Sequence, residues 1–206
     1  MELNVQSVLK WIEKLNDKIQ NNKEYLTSLD QAIGDGDHGI NMARGFQEVI
    51  NKTTTSQYDT VSDLTKDVAM TLMSKVGGAS GPLYGTAFLK LSMSVKGKDP
   101  VDHDAFTAGV QEALNGIQQR GKANEGEKTL VDVWAPVLRF LQENSEFEPG
   151  KLEETAKVAM ESTKDIIAIR GRAAYLKERS KGHLDPGSVS SFYLFQSLAE
   201  VLQEGE

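Results

Sequence analysis

The chain is 206 residues long, with 23 basic against 30 acidic residues, a formal net charge of −7, and no cysteine. That length suits one domain spanning 1–206, and the missing thiols exclude disulfide scaffolds, zinc knuckles, iron–sulfur sites and cysteine nucleophiles. The acidic balance argues against nucleic acid and anionic lipid as partners, and no apolar run approaches the ~20 residues of a membrane span, so a soluble, cytoplasmic protein is expected.

The hydrophobic period is helical almost throughout. Val5, Val8, Leu9, Ile12, Leu15 and Ile19 form one stripe of a long first helix. A second helix is predicted over 39–51, and Val61, Leu64, Val68, Leu72 and Val76 mark a third. A fourth covers 82–95, with Pro82 at its first helical position. Phe106, Val110, Ala113, Leu114 and Ile117 give a fifth, and Leu130, Val133, Val137 and Leu141 a sixth. Leu152, Ala156, Ala159, Met160, Thr163 and Ile167 give a seventh; Phe192, Phe195, Leu198, Ala199 and Leu202 close the series. No alternating β-branched run interrupts it. The expected architecture is all-α, an eight-helix antiparallel bundle or barrel with no sheet.

The connectors are of two kinds. Asn51–Asp59, Lys96–Val101 and Asn144–Gly150 are polar turns. Leu29–Gly39, Val76–Gly85, Arg120–Thr129 and Gly171–Gly187 are richer. Gly34, Gly36, Gly39, Gly45, Gly77, Gly78, Gly81 and Gly85 all lie in or beside the first two. Glycine so concentrated marks backbone that turns sharply or approaches something closely.

In the first rich loop, Asp30, Asp35 and Asp37 repel one another unless a cation sits among them, and hard oxygen ligands suit Mg²⁺ or Ca²⁺. The plainer alternative is a solvated acidic turn with Asp37 as a helix N-cap. Gly34, Gly36 and Gly39 spell G-x-G-x-x-G, but no strand precedes them and aspartates fill the loop, so a dinucleotide fingerprint is excluded. An EF-hand fails as well, because Gly39 and Ile40 stand where a ligand and a glycine are required. In the second loop, Gly77, Gly78, Ser80 and Gly81 offer a cradle of amides and a hydroxyl, or simply a tight interhelical turn. It has neither a Walker lysine nor a G-x-S-x-G elbow. Arg170, Arg172, Lys177, Arg179 and Lys181 form the one strong cationic cluster, followed by an Asp185-Pro186-Gly187 turn. Arg120–Lys122 and Lys128-Thr129 look like surface. Metal, amide cradle and cation are the parts that phosphoryl transfer needs. His38 and His183 are candidates for acid–base groups or for hydrogen-bonding partners.

The runs Ile33-Gly-Asp-Gly-Asp-His-Gly-Ile-Asn-Met42, Gly77-Gly-Ala-Ser-Gly-Pro-Leu-Tyr-Gly85, Gly171-Arg-Ala-Ala-Tyr-Leu and Gly182-His-Leu-Asp-Pro-Gly187 resemble the nucleotide-binding L subunits of dihydroxyacetone kinases. Asp30, Lys128-Thr129 and Asp132 also fit that pattern, and the likeness covers nearly the whole chain in order. The resemblance implies an eight-helix barrel with ADP or ATP at one rim, bound through two Mg²⁺ ions held by Asp30, Asp35 and Asp37. It places His38, Gly39, Ile40, Asn41, Ala79, Ser80, Gly121, Leu130, Arg172, Asp185, Pro186 and Gly187 at nucleotide-binding positions, with Arg172 also the catalytic cation. It further implies two partners, a K subunit carrying dihydroxyacetone and a phosphohistidine donor protein of the phosphotransferase system. The short chain suits that multi-subunit arrangement. An ATP-dependent kinase subunit for this or another acceptor, and a nucleotide-loaded regulatory module, are the alternatives.

Overall fold

The computed structural model describes residues 1–143 and 147–205; the first three residues of the predicted Asn144–Gly150 connector lie outside the described residues. Asn4 opens helix α1 (Val5–Asn21) through a capping box with Ser7, and Val8, Trp11, Ile12, Leu15 and Ile19 form its buried stripe. The backbone ladder does not stop at Asn22. Its N–H donates to the Lys18 carbonyl and its own carbonyl accepts from Leu26, so α2 (Lys23–Ile33) continues α1 across a bend. There follow α3 (His38–Thr55), α4 (Val61–Lys75), α5 (Ser80–Ser94), α6 (His103–Gly121), α7 (Val131–Glu143), α8 (Pro149–Ser162) and α9 (Pro186–Glu204). Thr60, Asp102 and Asp185 cap α4, α6 and α9 with their side chains.

The all-α expectation holds, with informative differences. The described residues contain nine α-helices rather than eight, because α2 fills a segment whose stripe (Leu26, Asp30, Ile33) includes a carboxylate. A ladder of two residues per strand also occurs, β1 (Glu2–Leu3) pairing antiparallel with β2 (Val101–Asp102). Pro82 sits third in α5, not first, and Ile167 falls beyond the end of α8. The Asp185-Pro186-Gly187 turn is the start of α9, six residues before the predicted apolar stripe.

Packing closes these helices into a ring. α1 lies against α3 and α9, and from α3 to α9 each helix packs on the next; α2 extends α1 in the slot between α3 and α9. With the bent α1–α2 pair as one stave, eight staves surround the core. Short connectors make consecutive staves antiparallel, so alternate loops gather at opposite rims. The β1–β2 ladder ties together the starts of α1 and α6 at one rim. The four glycine-rich or basic loops all fall at the other. Inside, Trp11 packs 5.9 Å from Phe88 and 6.2 Å edge-on from Phe106, while Trp134 meets Phe195 at 5.0 Å.

Candidate functional site

The first rim loop joins α2 to α3. Asp30 is on the last turn of α2, and its Oδ2 accepts from the backbone N–H groups of Asp37 (2.8 Å) and His38 (3.1 Å), folding the loop back over the carboxylate. A side chain at Gly34 would place Cβ 2.0 Å from Asp30 Oδ1, and Gly36 takes φ +74°. Asp30, Asp35 and Asp37 then each offer an oxygen within 4.8 Å of the others. Three anionic oxygens that close, in a chain with no thiolate, suit a hard divalent cation. Asp37 stands at the N-cap position of α3, but its side chain makes no capping bond, so the carboxylate stays available.

The second loop brings the start of α5 beside that cluster. Gly78 takes φ +65° and lies 3.8 Å from Asp37, measured from where a Cβ would stand; a Cβ on Gly77 would come within 2.8 Å of Asn41 Oδ1. Arg44 holds Asn41 in place, donating to its Oδ1 at 3.0 Å and to the Lys75 carbonyl at 3.1 Å. The start of α3 is closed by Asp30, which takes the His38 amide, whereas α5 has no side-chain cap. The start of α5 therefore presents first-turn amides and the positive end of a helix dipole.

The third loop corrects the sequence reading of Lys128 as surface. Lys128 is only 1% exposed, at φ +62°, and its ammonium donates to the carbonyls of Thr163 and His183 (both 2.5 Å) and Ile166 (3.2 Å). It is an internal tie between the third and fourth loops. Burial lowers its pKa, opposed by the charges of Asp185, Asp132 and Asp165. Asp132 braces the same turn by accepting from the amides of Thr129 and Gly126. The fourth loop carries a 3₁₀ segment, Arg172–Ser180. Its cations divide: Arg172 pairs with Asp35 at 2.8 Å, Arg170 pairs with Glu127 at 3.2 Å, and Lys177, Arg179 and Lys181 do not line the cavity.

These loops enclose a cavity of about 380 Å³. Among residues the resemblance singled out, Asp30, Asp35, Asp37, His38, Ala79, Ser80, Arg172, Asp185 and Pro186 line it, as do Lys128 and Thr129. Leu130 and Gly187 line an adjoining recess of about 160 Å³ that shares His38, Ser80 and Asp185. Gly39, Ile40, Asn41 and Gly121 line neither. Gly39 packs against α2, where a Cβ would sit 2.1 Å from the Lys23 carbonyl, and Ile40 is exposed.

His38 is buried, and both ring nitrogens have hydroxyl partners: Nδ1 with Ser80 Oγ at 3.0 Å and Nε2 with Ser190 Oγ at 2.9 Å. Burial pushes its pKa down to about 4, against the pull of Asp30, so the ring is neutral at physiological pH. It is a hydrogen-bonding partner, the second of the two roles the sequence allowed. Behind it stand Ser190, Tyr84, Ser191 and Trp134, a polar chain that sequence reasoning missed. The available signal was Ser188, Ser190 and Ser191, three serines opening the otherwise apolar α9. Asp185 caps α9 by accepting from the Ser188 amide, and burial pushes its carboxyl up to about 7.

A family model described as the DAK2 domain matches residues 32–200. The chain is 48% identical over 200 residues to the PTS-dependent dihydroxyacetone kinase, ADP-binding subunit DhaL, of Lactococcus lactis, covering 97% of this chain and 99% of that one. It is 46% identical to the ADP-binding subunit DhaL of PEP-dependent dihydroxyacetone kinase 1 of Listeria innocua, over 94% of each. The corresponding Escherichia coli subunit is 38% identical over 99% of this chain and 100% of its own. The crystal structure of the dihydroxyacetone kinase from C. freundii in complex with AMP-PNP and Mg²⁺ superposes with a TM-score of 0.76 at 23% identity. That likeness covers 97% of this chain but only 34% of the larger one, and it bears on the fold.

Proposed function

The chain belongs to the DAK2-domain family, and from that membership we propose that it is the ADP-binding, phosphoryl-transferring subunit of a dihydroxyacetone kinase. One observation carries the reading: three carboxylate oxygens, the uncapped start of α5 and Arg172 converge on a single rim cavity. An acidic protein that binds a polyphosphate needs all three, because the carboxylates would otherwise repel it.

Asp30, Asp35 and Asp37 would hold two Mg²⁺ ions, which when bound neutralise the phosphate oxygens and make them tolerable beside carboxylates. The backbone amides opening α5, with the Ser80 hydroxyl, would cradle the phosphates. The recess lined by Leu83, Leu130, Pro186 and Gly187 receives the less polar end of the nucleotide. Arg172, 69% exposed on its side chain and paired with Asp35, would be free to swing toward the transferring group if a metal took over that carboxylate. When bound, ADP would supply the phosphoryl acceptor for a phosphohistidine donor protein of the phosphotransferase system and, in its charged form, the phosphoryl donor for a hydroxyl of dihydroxyacetone carried by a separate K subunit. No nucleic acid or membrane enters this scheme, and no helix among the described residues is long and apolar enough to cross a membrane.

Calorimetry of the purified protein with ADP in Mg²⁺ tests the site. Asp35→Ala and Asp37→Ala should each abolish Mg²⁺-dependent ADP binding while helical content is retained. Parental ADP affinity in both variants would remove the metal assignment. Formation of dihydroxyacetone phosphate on mixing with a K subunit and a phosphohistidine donor tests the reaction. Multiple turnovers on free ATP with no donor protein would make it an ATP-dependent subunit instead.

A further inference from the structure

The hydrogen bonds behind His38 have a direction, and the direction starts at Trp134. An indole N–H can only donate, so Trp134 Nε1–H donates to Ser191 Oγ across 3.1 Å. Ser191 is fully buried, and the partner within reach of its own hydrogen is the Tyr84 hydroxyl at 2.9 Å. Stranding that hydrogen would carry a full desolvation cost, so Ser191 donates and Tyr84 accepts. Tyr84 must then donate onward. Ser190 Oγ is 2.8 Å away, whereas the Gly187 carbonyl is at 3.3 Å.

Ser190, having accepted from Tyr84, donates in turn. His38 Nε2 lies at 2.9 Å and the Gly187 carbonyl at 3.1 Å, and that carbonyl already serves the backbone ladder of α9. Donation to the ring makes Nε2 the acceptor and leaves the hydrogen of the neutral imidazole on Nδ1. Nδ1–H donates to Ser80 Oγ at 3.0 Å. Ser80 stands on the cavity wall, and its one remaining hydrogen faces the cavity's contents.

We propose that Trp134 is a positioning residue that polarises the chain Ser191–Tyr84–Ser190–His38, so that Ser80 always offers a hydrogen, never a lone pair, to an anionic phosphate oxygen. With the reverse polarity the Ser80 hydrogen would point at Nδ1 and its lone pairs at the phosphate, turning attraction into repulsion. The identity of the anion rests on the nucleotide reading; the polarity of the chain does not.

Side-chain ¹⁵N NMR of the neutral histidines, with His38 assigned by comparison with His38→Gln, reads the tautomer directly. The wild-type protein should show the Nδ1–H form at His38. Tyr84→Phe keeps the ring and Trp134→Phe keeps a smaller aromatic side chain, and together they cut the chain at two points. Each should convert His38 to the Nε2–H form or to an exchanging mixture, and each should weaken binding of ADP in Mg²⁺ by about tenfold, the scale of one charge-assisted hydrogen bond. Ser80→Ala should lose a similar factor, and adding Trp134→Phe to it should cost nothing further. An Nε2–H tautomer in the wild type, or an unchanged Nδ1–H signal in both chain variants, overturns the proposal. A role in packing alone would lower the melting temperature and leave the tautomer untouched. A wild-type protein that binds no ADP would overturn the nucleotide reading, while the tautomer result would still decide the polarity.

Discussion

At the scale of single residues, charge and burial decide what each group can do. Arg172 is exposed and meets one carboxylate, so its contribution is expected in ligand binding, not in folding. Arg172→Ala should weaken ADP binding by about 1.5–3 kcal/mol, the range for a charged hydrogen bond. Arg172→Lys should recover only part of it, because a point charge replaces a planar fork. Calorimetry that finds Arg172→Ala indistinguishable from the parent would move this arginine to plain surface or to a partner interface. Two buried groups also set opposed pH dependences. Unfolded His38 titrates near 6.5 but the folded ring stays neutral to about pH 4, so the unfolded chain holds the extra proton between those values. Stability therefore falls as pH drops through that window, by up to about 1.4 kcal/mol per pH unit. Asp185 works in reverse. Its carboxyl titrates at about 7 folded against 3.8 unfolded, so the folded chain holds the extra proton and stability falls as pH rises through that range. The two nearly cancel between pH 4 and 6.5. Asp185→Asn removes the second, and its melting temperature should fall more steeply than the parent's on acidification from pH 6.5 to 4.5. Equal slopes would show that one of the two groups is not buried as described.

At the scale of elements, the rim loops differ in how they are held. The first is folded around Asp30 and the second is stiffened by Asn41 and Arg44. The fourth, from Thr163 to Asp185, has few apolar anchors: Ile33, Ala168 and Ala173 make a small cluster separate from the main core. Lys128 replaces the missing core there. Its ammonium gathers three carbonyls from that loop, as a bound cation would. Lys128→Met keeps the stem but strands those carbonyls in a buried place, at a cost of about 3 kcal/mol. Hydrogen exchange should show amides of 163–185 opening well before those of α4, α5 and α6, with ADP affinity reduced. Uniform loss of protection over the whole chain would mean that Lys128 supports the barrel generally. The sequence around this residue gave no hint of that role, because Lys128 and Lys122 look alike until one of them is buried.

At the scale of the whole molecule, the barrel turns four loops scattered over 150 residues of sequence into one wall. A ligand held by loops from every second stave leaves only when several of them open together, so slow release is expected. Binding to the folded state alone adds about 2.7 kcal/mol at a ligand concentration of 100 Kd, worth roughly 5–10 °C in a chain of this size. ADP should therefore stay with the protein through gel filtration in Mg²⁺, exchange slowly with labelled ATP, and raise the melting temperature by that order. Rapid exchange with no thermal shift would mean that the rim is open and the nucleotide a transient substrate.

By itself the sequence determined the helical class, the number of staves and the loops that matter. Those follow from local periodicity and from glycine and charge at short spacing, which fold into the same pattern wherever the chain goes. It also marked the carboxylates, since Asp35 and Asp37 are neighbours and Asp30 lies one loop away. What only the tertiary structure decided was which distant groups meet. Asp30 is a helix residue because α2 continues α1 through Asn22, a bend that apolar periodicity does not register. Lys128 is an internal tie because α7 and α8 bring the third loop under the fourth. Trp134, Tyr84 and Ser191 belong to the site because α5, α7 and α9 turn those side chains toward a common interior. Hydrogen bonds between residues 57 and 152 positions apart depend on ring closure, and ring closure is a property of the packed staves, not of any one of them.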